Sequence, residues 1–201
     1  MQLIGMLDSA FVRRVAITMQ LLGIPYEHKS ISVFSAYDRF RAINPVVKAP
    51  TLVCDDGVQL MDSTLIIDYL EAMAGRSLMP SDPLARRADL RLIGLALAAC
   101  EKTVQHMHER HLRPAEKQFE PWARRINEQL VAALEEIEHA IKAQPLGCGA
   151  DIGQASLSVA VAWRFTQLLV PETILAPAFP ALAKHSDQAE RLPAFIAVPP
   201  L

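Results

Sequence analysis

The chain has 201 residues, 51% hydrophobic and 21% charged, which is globular composition with material for one large domain or two small ones. Lys and Arg number 20 against 22 Asp and Glu, a net charge of −2, so no general electrostatic pull toward nucleic acid or an anionic membrane exists and neither is expected as a partner. "MQLIGMLDSAFVRR" lacks the basic region and long apolar core of a secretory leader, and no window approaches the ~18 uninterrupted apolar residues of a membrane span. Cys54, Cys100 and Cys148 form neither a CxxC pair nor a zinc spacing, so the expectation is a cytoplasmic protein with free thiols.

In chain order, residues 2–7 ("QLIGML") predict a strand, and a helix begins almost at once, with Phe11, Val12, Val15, Ala16, Met19 and Leu22 on one side and Gly23 as its stop. "IPYEHKSI" predicts a second strand and "SAYDRFRAI" (35–43) a short helix ended by Asn44-Pro45. "PTLVC" and "VQLM", joined by "DDG", predict a hairpin. "DSTLIIDYLEAMAG" predicts a helix with Leu65, Ile66, Tyr69, Leu70 and Met73 on one face and Gly75 at its end. The order βαβαββα implies a mixed sheet with helices packed on it.

"SLMPSDPL" (77–84) has the composition of a linker. Beyond it every segment predicts helix. One helix runs over 85–111 with Leu90, Ile93, Leu97, Cys100, Val104 and Met107 inward, broken at Arg113-Pro114. A second covers 121–143 with Trp122, Ile126, Leu130, Leu134, Ile137 and Ile141 on one face. Residues 152–170 are apolar nearly all round and predict a core helix, with Asp151 and Gln154 at the spacing of a capping pair. A last helix spans 179–191 before a Pro-rich tail.

Three short stretches carry candidate chemistry. In "KAPTL" (48–52) a proline opens a strand, where it removes a ladder donor; a cis Ala49–Pro50 bond that offers the Ala49 backbone to an extended ligand explains this, as does a trans edge-strand proline. In "MDST" (61–64), Asp62 or Ser63 at a helix start is either a plain N-cap or a carboxylate site built on free N–H groups. Asp8 and Ser9 stand at the start of the first helix, where a hydroxyl either caps the helix or faces a reactive anion. His108 and His111 share a helix face, but no Asp or Cys cluster completes a ligand set, so no metal is expected. Arg124-Arg125 and Glu135-Glu136-Glu138 read as solvated helix faces.

The order of "SAFVRRVAI", "NPVVKAPTL" and "DSTLIIDYLE" resembles the amino-terminal domain of glutathione S-transferases, whose pattern is S-P-F-x-R-[KR]-V, N-P-x-G-K-V-P-x-L and [DE]-S-x-x-I-x-x-Y-L. "DIGQASLSVAVAW" and "FPALAKHSDQAERLPAF" are similar to the family's central-helix capping box and terminal segment. "ERHLRP" (109–114) is similar to a stretch of the short, YibF-like bacterial subgroup. Three positions depart from the pattern. Ala10 replaces a proline, Val47 replaces a glycine and implies a different backbone or a bulkier wall, and Asp8 adds negative charge beside Ser9.

The resemblance implies an α/β plus all-α architecture: a thioredoxin-like βαβαββα glutathione-binding domain over 1–76, a linker over 77–84 and an all-helical domain over 85–201. It implies glutathione as co-substrate, a small electrophile as partner, a homodimer and a role in detoxification. It also implies a cis Ala49–Pro50 bond. By the same resemblance Ser9 is the catalytic residue facing sulfur, and Asp62 and Ser63 receive the γ-glutamyl carboxylate. Ala49 and Pro50 bind the cysteinyl backbone, and Lys48 lies near the glycine carboxylate. Phe11, His106 and Arg110 form the candidate acceptor site, with His106 able to assist proton transfer. The alternatives are a non-catalytic interaction module of the same fold and, less favoured because position 9 is not cysteine, a glutathione-dependent thiol oxidoreductase. The dimer surface is expected near "LVCDDGVQLM" and the helix over 85–100.

Overall fold

The computed structural model describes residues 1–149 and 151–200. The chain divides into two compact units, one of Met1–Leu78 together with the segment that begins at Leu192, the other of Met79–Arg191.

The first unit carries a four-stranded sheet in the order β2-β1-β3-β4. β1 (Gln2–Ile4) pairs in parallel with β2 (Glu27–Lys29) and antiparallel with β3 (Thr51–Val53), which pairs antiparallel with β4 (Gln59–Leu60). β1 is shorter than its apolar run predicts, because Gly5 takes φ 136° and turns the chain out of the sheet. Alternation sends Leu3 and Ile4 to opposite faces, and both are fully buried. Ile4 packs with Ile31 and with Phe40 of α2 (Tyr37–Ile43). α1 (Ala10–Leu22) packs on α3 (Ser63–Ala74), and the two end at Gly23 and Gly75 in left-handed conformations, as their sequences predict. This is the βαβαββα order.

One expectation about these helices needs correction. In α3 the buried residues are Ser63, Ile66, Ile67 and Leu70, while Leu65, Tyr69 and Met73 are exposed. The helix is apolar on two sides, and the β-branched pair wins the inner one. On α1, Arg13 and Arg14 are both buried although charged.

The second unit is helical: among the described residues no strand lies beyond β4. α4 (Pro83–Met107) is packed by α5 (Glu120–Ala143) and α6 (Gln154–Leu169); α7 (Pro180–Ala189) packs on α5 and α6. α4 buries Leu92, Ile93, Ala96, Ala99, Cys100, Thr103 and His106, so its inner face is rotated from the predicted one and Leu90 is exposed. Ala96, Ala99, Cys100 and Thr103 on this face are small, which lets α6 approach until Thr103 Oγ1 and Thr166 Oγ1 lie 3.1 Å apart. Trp122 is likewise 41% exposed, and Ala123 beside it is buried. α6 is buried on nearly all sides, as predicted, but Asp151 and Gln154 do not cap it. The helix begins at Gln154, so Gly153 is the N-cap and Gln154 sits one position past it, not three. No helix among the described residues is long and apolar enough to cross a membrane.

Candidate functional site

Three sequence-separated segments of the first unit meet around Gly5. A Cβ there would stand 2.6 Å from Val12 Cγ2 and 3.2 Å from Ala49 Cβ, so only glycine allows the turn before α1, α1 itself and the Ala49 loop to close on one point. The Gly5 carbonyl lies 2.7 Å from His28 Nε2. Neither Gly5 nor His28 stands out in the sequence alone, where the local signal is an isolated glycine within an apolar run.

The turn delivers Ser9 to the N-cap position of α1 with extended backbone, φ −74° and ψ 121°. Its carbonyl accepts from Arg13 N at 2.9 Å, but its hydroxyl makes no capping bond. A capping serine would direct Oγ to the first-turn N–H groups; this one leaves both the hydroxyl and the positive end of the helix available. Asp8 and Ser9 are half-buried, as is Phe11.

The Ala49–Pro50 peptide is cis, the geometry implied by the family pattern. Asn44, buried, pins the loop before it. Its Nδ2 donates to Thr51 Oγ1 at 2.8 Å and its Oδ1 accepts from Val46 N at 3.0 Å, while Thr51 Oγ1 donates to the Lys48 carbonyl at 2.7 Å. Lys48 is exposed, Ala49 half-buried and Pro50 buried. Val47 holds φ 52°, the left-handed region that favours glycine, so a bulkier side chain stands here on a backbone that L-residues avoid. Val47 repays part of that strain by packing against the cluster of Ile4, Ile31 and Phe40.

At the start of α3, after a cis Met61–Asp62 peptide, Asp62 is the N-cap, accepting from Thr64 N at 2.8 Å and Leu65 N at 3.3 Å. Ser63 is buried, and its hydroxyl accepts from Arg14 Nη1 at 3.1 Å; the same nitrogen donates to Thr64 Oγ1 at 3.1 Å. Arg14 therefore ties α1 to α3 and polarises two hydroxyls at a helix N-terminus, a favourable setting for a carboxylate. Arg13 points elsewhere. Its Nε donates to the Val198 carbonyl at 2.9 Å and its guanidinium lies 5.5 Å from the centre of the Phe195 ring, on α8 (Pro193–Ile196).

His106 and Arg110 belong to the second unit. α4 ends at Met107 and continues as a π turn, His108–Leu112, closed by Arg113 N to the His108 carbonyl at 3.0 Å. His106 is not a solvated residue: it is 7% exposed, and burial first, then the Arg110 charge, lower its pKa below the usual 6.5 and keep it neutral at pH 7. Arg110 pairs with Glu120 at 3.0 Å. Both line a groove of about 440 Å³ with Glu120, Ala123, Arg124 and Asn127 of α5. Among the described residues no group of three or more His, Cys, Asp or Glu is placed to hold a metal.

Residues 3–77 match the model of the glutathione S-transferase amino-terminal domain. The chain is 30% identical to the uncharacterized GST-like protein YibF of Escherichia coli over 69% of this chain and 68% of that one. It is 30% identical to the probable maleylacetoacetate isomerase of Caenorhabditis elegans over 93% of this chain and 87% of that one. A crystal structure of a glutathione transferase family member from Pseudomonas fluorescens, with bound S-(propanoic acid)-glutathione, matches with TM-score 0.83 and 27% identity over 100% of both chains. The chain belongs to the glutathione S-transferase family.

Proposed function

We propose that this protein is a cytoplasmic glutathione transferase that conjugates glutathione to a small electrophile and acts as a homodimer. Lys48, Ala49, Pro50, Asp62 and Ser63 bind glutathione; Ser9 holds its sulfur; Phe11, His106 and Arg110 contribute to the acceptor site. A free thiol with pKa ~8.5 is only a few per cent ionised at neutral pH, so catalysis requires the thiolate to be favoured. The Ser9 hydroxyl donates a hydrogen bond to that thiolate, aided by the N-terminus of α1, and is never covalently modified. The thiolate then attacks the electrophilic carbon, forming the C–S bond as the leaving group departs or an adjacent double bond takes the electron pair. The observation that carries this reading is the Ser9 hydroxyl, which stands at the head of α1 without capping it. The bound glutathione conjugate of the Pseudomonas fluorescens relative adds to it.

Retention on immobilised glutathione, with elution by free glutathione, tests the binding; a protein that flows through is an interaction module on the same fold. Ser9→Ala should lower turnover about 10²-fold, by loss of one preorganised donor, and raise the pKa of bound glutathione, with glutathione affinity kept within a few-fold. If turnover and thiolate pKa are both unchanged, Ser9 is not the thiolate's partner. The dimer reading is supported by the exposed stripe of α3, where Leu65 is 62% and Met73 46% exposed, and by exposed Val58 and Leu90. Light scattering at micromolar concentration should give a dimer mass, and Leu65→Asp should shift it to the monomer.

A further inference from the structure

Gly5 is the point on which the chain turns from β1 toward α1, and glycine's own sterics do not fix that turn. With no Cβ it tolerates many backbone angles, so its φ of 136° is held by what it bonds to. Its N–H donates to the Lys29 carbonyl at 3.1 Å. Its carbonyl lies past the end of β1, where among the described residues no backbone N–H reaches it, and stands 2.7 Å from His28 Nε2. A carbonyl oxygen only accepts, so Nε2 carries the proton and donates it. The neutral Nε2–H tautomer and the imidazolium both supply that proton, so the bond does not depend on the charge of the ring. His28 pairs with Leu3 in the parallel ladder, which puts its side chain on the face that Gly5 shares two residues further on.

A peptide unit is planar, so fixing the Gly5 carbonyl also fixes the direction in which Met6 leaves. From there a single turn reaches the helix: Ser9 N donates to the Met6 carbonyl at 3.2 Å, and Ser9 is the N-cap of α1. Among the described residues, His28 is the one side chain hydrogen-bonded to the peptide from which this turn departs.

We infer that His28 is a positioning residue: by donating to the Gly5 carbonyl it sets the turn that carries the Ser9 hydroxyl to the head of α1. For the turn this stands on geometry alone; for catalysis it rests on the transferase reading, in which Ser9 donates to the glutathione thiolate. His28 acts through Gly5 and not on the sulfur. A misplacement of about 1 Å made away from the reacting atoms costs about 10²-fold in rate, so a residue of this kind matters without touching substrate.

The test begins with the full chain without glutathione, whose histidine ring nitrogens, followed by NMR, should show His28 protonated at Nε2. Two neutral amides then separate the bond from the bulk of the side chain. The glutamine amide nitrogen reaches the place of Nε2, whereas asparagine, one methylene shorter, reaches only that of Nδ1. In His28→Asn the Ser9 amide should exchange its hydrogen at least about tenfold faster than in the parent, and in His28→Gln at nearly the parent rate. With glutathione bound, ultraviolet absorbance of the thiolate should show its pKa raised toward the Ser9→Ala value in His28→Asn and close to the parent's in His28→Gln, with the glutathione Kd within a few-fold in both. A parent protein that binds no glutathione removes the transferase reading and leaves the Ser9 exchange rates to decide the role of His28. An Nε2 that carries no proton, Ser9 exchange unchanged in His28→Asn, or a thiolate pKa that moves in Ser9→Ala and not in His28→Asn overturns the inference. The ring spectrum of the parent and the Ser9 exchange of His28→Gln decide the matter even if His28→Asn does not fold.

Discussion

Val47 has a β-branched side chain in a conformation that L-residues avoid, φ 52°, one residue before Lys48. Two terms oppose each other there. The left-handed backbone costs about 1–2 kcal/mol for a residue with a Cβ, and the half-buried isopropyl group gains part of that back against Ile4, Ile31 and Phe40. Removing the packing while keeping the Cβ leaves only the cost. Val47→Ala should therefore destabilise more than Val47→Gly, by about 1 kcal/mol, although at ordinary positions glycine is the worse of the two. Urea unfolding of the two variants reads the order directly. The substitution itself was visible in the sequence as a departure from N-P-x-G-K-V-P. That Val47 would take a left-handed backbone was not, because a single sequence does not say whether the backbone or the side chain yields. Arg13 and Arg14 show the same limit at longer range. Their partners lie 185 and 49 residues away, the Val198 carbonyl and the Ser63 hydroxyl, and no local pattern announces them.

Among the elements, helix existence and order were legible because capping, glycine stops and proline breaks are local chemistry. Which face turns inward was legible only where one stripe was apolar. α5 has such a stripe, and Ile126, Leu130, Leu134, Ile137 and Ile141 are all buried as read. α3 and α4 have two, and packing partners chose between them. α7 shows a further device that periodicity does not reveal. Its own N-cap, Phe179, has no capping side chain. Glu138 of α5 replaces it, accepting from Ala181 N at 3.0 Å and Leu182 N at 2.8 Å while pairing with Lys142 at 3.1 Å. Burial alone would push this carboxyl up; the two N–H bonds and Lys142 outweigh it and hold the pKa below 4.5. The sequence reading placed Glu138 on a solvated face, and the structure puts it inside. Glu138→Ala should cost about 2–3 kcal/mol by leaving two helix N–H groups buried and unpaired. Glu138→Gln, which keeps one acceptor oxygen, should cost less. Chemical denaturation of the two variants checks both values and their order.

For the molecule as a whole, the stability of the second unit should depend on pH above the carboxylate range. His106 and His185 are both buried, and burial lowers each pKa below 6.5. His185 keeps its Nε2 3.0 Å from the Ser156 carbonyl, a bond that opposes the shift and does not cancel it. Folded, each binds fewer protons than unfolded between its lowered pKa and about 6.5. Their contribution is therefore complete above about pH 6.5 and declines as pH falls below it. Glu138 works lower still, its contribution lost only as pH drops through its folded pKa. The unfolding midpoint should thus fall from about pH 7.5 to about pH 5.5, and His185→Gln should flatten part of that slope. A midpoint that is level over this range in the parent protein would contradict the assignment.

The segment from Leu192 that completes the first unit also sets an order of events during synthesis. A chain is made at about 5–20 residues per second. Arg13 emerges early, yet its carbonyl partner Val198 lies 185 residues later, a delay of about 10–40 s. Residues 79–191 form one unbroken stretch and are all made before Leu192. The amino-terminal unit is therefore begun first and finished last. For that interval the side of α1 that carries Arg13 is open to water and to any chaperone waiting at the ribosome.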